Sequence, residues 1–98
     1  MKVVMTSTTN ARFNDLLGVE GNLSIDDLFF RFDFRDADFM PPFDLRHGHM
    51  RSSIIKTVTQ VETNRLYYTI TIITTFSTYV FTHGKKNNKP PIAGLNVL

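Results

Sequence analysis

The chain has neither cysteine nor tryptophan among its 98 residues. The absence of cysteine excludes a disulfide framework, a thiolate zinc site and a cysteine nucleophile together. Stability must then come from packing, and the composition suits a reducing, cytoplasmic compartment. Glycine is sparse and scattered: Gly18, Gly21, Gly48, Gly84 and Gly94 form no phosphate-cradling run. No serine or threonine stands in a Gly-x-Ser-x-Gly elbow. Long apolar runs are missing as well. The stretch 66–81 is the longest that looks apolar. It is too short to span a bilayer and is broken by Thr69, Thr71, Thr74, Thr75, Ser77 and Thr78. The first ten residues hold one lysine and then a polar run, without the apolar segment of a secretory signal. No membrane partner is expected.

What is present fits one folded domain. The chain is 42% hydrophobic and 20% charged, far from the composition of disordered segments, and too short for two separate cores. Net charge is only +2, but it is unevenly spread. Residues 1–49 carry eight acidic and five basic side chains, and residues 50–98 carry one acidic and six basic. Such an asymmetry bears on association rather than on fold.

Lys2 to Thr6 has the β-branched, apolar look of a short strand. Phe13, Leu16 and Leu17 then stand at i, i+3 and i+4 before Gly18, which predicts a short helix with a glycine stop. Residues 18–22 read as loop, and Ser24 with Asp27 resembles a capping box that would start a second short helix over Ile25 to Phe29. From Phe30 the period changes to two: Phe30, Phe32 and Phe34 alternate with Arg31, Asp33 and Arg35, the pattern of a strand with one wet face. Phe39-Met40-Pro41-Pro42-Phe43 must be an extended connection, because proline lacks an amide donor and forces its predecessor out of the helical region.

The clearest segment lies at 52–82. Residues 52–62 and 66–76 are both rich in β-branched and aromatic side chains, with Thr63-Asn64 as a turn between them. In the second run Leu66, Tyr68, Ile70, Ile72 and Phe76 share one face, and Tyr67, Thr69, Thr71, Ile73 and Thr75 share the other. The pattern continues through Tyr79, Val80 and Phe81, as the same strand bent or as a new one. Residues 84–91 form a basic, proline-ended linker, and 92–98 an apolar tail expected to dock away from the hairpin. The fold class expected is therefore α+β: a small antiparallel sheet dominated by a long hairpin, with one or two short N-terminal helices.

Three constellations could carry function. Asp33, Asp36, Asp38, Asp44, His47 and His49 offer oxygen and nitrogen ligands for a metal, but Gly48 favours a turn that scatters the imidazoles. No metal or other cofactor is assigned, and no catalytic residue. Arg51, Lys56, Arg65, Lys85, Lys86 and Lys89, beside rings such as Tyr67 and Tyr79, would suit a single-stranded nucleic acid. The leading expectation is a non-enzymatic interaction or assembly subunit. It would bind another protein or a copy of itself through the hairpin edge and the tail. Its interface would comprise Tyr67, Thr69, Thr71, Ile73, Thr75 and Tyr79 with Met40, Pro41, Pro42 and Phe43.

Overall fold

The computed structural model describes residues 1–26, 28–34, 53–86 and 89–98. They form β1 (Lys2–Thr8), a 3-10 helix (Ala11–Leu16), β2 (Glu20–Ile25), β3 (Phe29–Asp33), β4 (Ser53–Glu62), β5 (Tyr67–Thr74) and β6 (Thr78–Gly84). Each strand pairs antiparallel with the next, and β1 pairs antiparallel with β6, so the sheet closes into a six-stranded barrel. The expected α+β class is overturned: the described chain is nearly all β, and the hairpin of β4 and β5 is two staves of a closed wall rather than an open sheet.

Period-two alternation explains the wall. Tyr68, Ile70, Ile72 and Thr74 of β5 are buried, while Tyr67 and Ile73 are exposed. Phe30, Phe32 and Phe34 turn inward beside Val3, Met5, Leu23 and Phe81. Their rings interlock at tilted angles, with Phe30 and Tyr79 centroids 5.1 Å apart and those of Phe32 and Phe81 5.3 Å apart. Each such side chain contributes roughly 1.5–3 kcal/mol on leaving water, which offsets the missing disulfides. The expected first helix exists as the 3-10 helix, and it sends Phe13 and Leu16 into the same core. Gly18 follows with φ of 84°, the left-handed conformation that stops it.

The expected second helix over Ile25 to Phe29 is absent, and a turn between β2 and β3 replaces it. The Asp26 carboxylate accepts hydrogen bonds from the Leu28 and Phe29 amides at 2.9 and 2.7 Å. The Asp26 amide in turn donates to the Phe29 carbonyl at 3.0 Å. These backbone donors hold the Asp26 carboxyl below the usual carboxylate range. An acidic side chain bonding amides two and three residues on is also what a helix cap does, so the local signature served a turn instead. Residues 20–22, read as loop, belong to β2 because Gly21 lets two strands approach. A Cβ there would lie 2.6 Å from the Asp33 carbonyl oxygen and 2.7 Å from the Phe32 ring.

β6 is a strand of its own. Thr74 and Ser77 close a tight turn through the Thr74 amide and hydroxyl, which donate to the Ser77 carbonyl at 2.8 and 3.0 Å. This turn ends β5 and throws Phe76, expected on the inner face, to the outside. The tail also departs from expectation, since it docks on the hairpin itself. Gln60 of β4 is fully buried and holds it. Its Nε2 donates to the Ile92 and Leu95 carbonyls at 2.9 and 2.6 Å, and its Oε1 accepts from the Ile92 amide at 3.1 Å. The Leu98 amide donates to the Gln60 carbonyl at 3.0 Å, and Val97 pairs parallel with Gln60.

Candidate functional site

Barrel closure decides which surfaces remain available. The β5 rim is taken by β6 over seven register pairs from Tyr67–Gly84 to Ile73–Thr78. The β4 rim meets β3 at Ser53 and Ile54 and the tail at Gln60. Among the described residues the β5 rim of the hairpin is thus paired along its length, and the β4 rim is paired at Ser53, Ile54 and Gln60. The outer wall is what the barrel presents.

On that wall the expected interface residues divide. Tyr67 and Ile73 are exposed, Thr75 lies exposed in the β5–β6 turn, and Thr69 and Thr71 are half-buried. Tyr79 does not join them. Its ring is 3% exposed against Phe13 and Phe30, and its hydroxyl accepts from the Asn10 side-chain amide at 3.2 Å. It faces inward because it pairs with Ile72, itself an inner residue. Met40, Pro41, Pro42 and Phe43 lie outside the described residues.

Of the exposed large apolar residues, sequence reading placed Ile73 in the interface but passed over Leu28, Phe29 and Ile54, and put Phe76 on the inner face. Leu28 and Ile54 are each 59% exposed and Phe76 is 94% exposed, with Phe29 and Ile73 at 39%. Register joins them: Phe29 pairs with Ile54, the Ile55 amide donates to the Leu28 carbonyl, and Ile55 pairs with Thr74 just before the Phe76 turn. They form an apolar band across β3, β4 and β5. Arg31, two residues from Phe29 on the same side, and Lys56, beside Ile54, are exposed around it. The alternation in β3 and β4 contained the signal for Phe29 and Ile54, whereas Phe76 needed the turn at Thr74 to be known.

The basic residues are scattered by the fold. Lys85 is committed internally: its ammonium lies 2.7 Å from the Glu62 carboxylate and 5.1 Å from the centre of the Tyr68 ring. Lys56, Arg65, Lys86 and Lys89 are exposed, and Arg51 lies outside the described residues. Of the acidic and histidine cluster, Asp33 alone is described; Asp36, Asp38, Asp44, His47 and His49 are not. Among the described residues no group of three or more His, Cys, Asp or Glu side chains is placed to hold a metal ion.

A second surface lies where β1 and β6 part. Their ladder runs from Thr8–Tyr79 to Val4–Thr82, and beyond it a cavity of about 490 Å³ opens, with Lys2, Glu20, Tyr67, His83 and Lys86 in its walls. Lys2 and Glu20 approach to 3.9 Å, both largely exposed. His83 Nδ1 is shut off from water without a hydrogen-bond partner. Burial, then the positive charges of the Met1 amine and Lys86, push the imidazole below its ordinary value, slightly opposed by the Gly84 backbone. Nothing in the sequence marked His83, a lone histidine at a strand end.

These features define a six-stranded up-and-down β-barrel with a packed interior, an apolar outer band and a cationic notch. Compared with known proteins, the chain matches no family model, no curated protein and no solved structure. Among the described residues no helix is long and apolar enough to cross a membrane.

Proposed function

We propose that the chain is a non-enzymatic protein-binding module whose contact surface is the apolar band on the outer wall, centred on Ile54 and Phe76. The observation that carries this reading is the 94% exposure of Phe76, in the turn that Thr74 and Ser77 close, together with the exposed Leu28 and Ile54 at the same end of the barrel. Exposed aromatic and aliphatic groups gathered on one side are what an interface core needs. The band differs from the edge-and-tail surface anticipated from sequence: the β5 rim is paired with β6, and the tail is clamped by Gln60.

The partner is another protein bearing an apolar patch rimmed with carboxylates. Arg31 and Lys56 flank the band, and a two-fold contact between copies would bring basic rims together. In light scattering the chain alone should run as a monomer. Partner capture followed by cross-linking should place contacts at Lys56, and Phe76→Ser or Ile54→Thr should weaken the captured complex at least tenfold, as loss of an interface anchor does. Neither side chain supports the core, so both variants fold. A self-complex cross-linked through Lys56 would assign the band to a second copy instead. A monomer that retains nothing, or a complex indifferent to both substitutions, would overturn the reading.

A further inference from the structure

We propose that the C-terminal segment 92–98 is a displaceable strap over a peptide-binding socket on β4, and that an aliphatic segment of a partner protein takes its place through the same backbone contacts. The socket does not depend on the apolar band.

The register of β4 builds it. Gln60 pairs with Ile70, a core residue, so its side chain turns to the inner face, where it is fully buried. A buried amide needs partners for its two N–H donors and its oxygen, because each group left unpaired keeps the full cost of leaving water. The tail supplies them. Nε2 donates to the Ile92 and Leu95 carbonyls, and Oε1 accepts from the Ile92 amide. The Leu98 amide donates to the Gln60 main-chain carbonyl, beside the parallel bridge to Val97. All these contacts fall on tail backbone, so the socket reads the path of a chain more than its side chains. Ile92 is the exception, a half-buried side chain packed against the core.

The strap itself is lightly held. None of residues 92–98 is buried, and Ala93, Gly94, Asn96, Val97 and Leu98 are exposed. A segment attached through one amide side chain and one aliphatic group opens at little cost compared with the barrel. Opening uncovers the Gln60 amide and the core beneath Ile92. The rim also offers an incoming chain contacts that the tail does not make. The Thr63 amide bonds the Tyr67 carbonyl, so by the alternation of an antiparallel ladder Val58, Gln60 and Glu62 direct their backbone groups away from β5. Among the described residues the tail bridges that rim at Gln60 alone. A segment running on to Glu62 would lengthen the pairing, as strand addition at a sheet edge does.

The test uses the isotope-labelled full chain carrying Ile92→Asp, which sets a carboxylate against the core and releases the strap. The probe is an amidated synthetic peptide of residues 89–98. NMR titration should shift the backbone and side-chain amides of Gln60, with binding at least tenfold tighter than to the parent chain, whose own tail competes at high effective concentration. Unchanged β5 and β6 resonances will show the barrel intact. At higher peptide concentration the parent chain should give the same shifts, so the test does not hang on the variant's folding. Methylating the Leu98 nitrogen of the peptide, or Ile92→Asp within it, should weaken binding at least tenfold. Asn96→Ser with Val97→Thr in the peptide should change it less than threefold, and adding Thr-Val at its C-terminus should strengthen it at least threefold. Concentration-dependent shifts of the same amides without peptide would assign the socket to the tail of a second copy and overturn the partner assignment. No binding at millimolar peptide, equal affinity for the two chains, indifference to Leu98 methylation, no gain from lengthening, or a tenfold loss on the Asn96 and Val97 changes would overturn the proposal.

Discussion

The imidazole of His83 sits half-buried at the end of β6 with Nδ1 unpartnered, in a setting that favours the neutral ring. Its folded-state pKa is lowered, whereas the unfolded chain takes up a proton near the ordinary value of about 6.5. Where the unfolded state binds more protons, stability falls with falling pH. The contribution of this group is therefore complete above about pH 6.5 and is lost as pH drops towards the depressed folded value. Chemical denaturation at pH 7.5 and pH 5.5 should show lower stability at the acidic point, and His83→Gln should flatten the difference. A slope unchanged in the variant would place its origin elsewhere. At this scale nothing in the sequence pointed to His83 or Gln60, because a lone polar residue at a strand position carries no periodic signal. Burial and partners are properties of the closed fold.

Between strands, short polar side chains set the turns. Asp26 holds the β2–β3 turn, Thr74 the β5–β6 turn, and Asn64 the β4–β5 turn, where its Oδ1 accepts from the Leu66 and Tyr67 amides at 2.7 and 3.1 Å. Strands with strong alternation were legible in the residues: β5 through Tyr68, Ile70 and Ile72, and β3 through Phe30 and Phe32. Elements governed by a single close approach were not, and β2 with Gly21 is the example. The tail is the element whose attachment is most concentrated, since one buried amide makes three hydrogen bonds to it. Gln60→Leu keeps the volume but removes every donor and acceptor, leaving tail backbone groups unsatisfied at a cost of about 1–3 kcal/mol. Denaturation should report a loss of that size, and limited proteolysis should cut 92–98 faster than in the parent chain. An equally protected tail would show that Ile92 and Val97 hold it without the clamp.

For the molecule as a whole, the decisive contact is the pairing of β1 with β6, which join residues more than seventy positions apart from Val4–Thr82 to Thr8–Tyr79. Alternation told which face of each strand is apolar but not which strands meet, so an open sheet and a barrel were equally compatible with it. Closure pairs the β5 rim with β6, and the proposed binding reading rests on the outer wall. Closure also creates the notch where the two strands part. The most direct test is residue-resolved amide hydrogen exchange along β1 and β6. A closed barrel requires slow exchange at the amides of β1 and β6 that point across the seam between Val4–Thr82 and Thr8–Tyr79, the register shift between Met5 and Ser7 excepted. Fast exchange at alternate amides down the side of β6 that faces β1 would mean that the seam is open, and it would contradict the barrel and both surfaces derived from it.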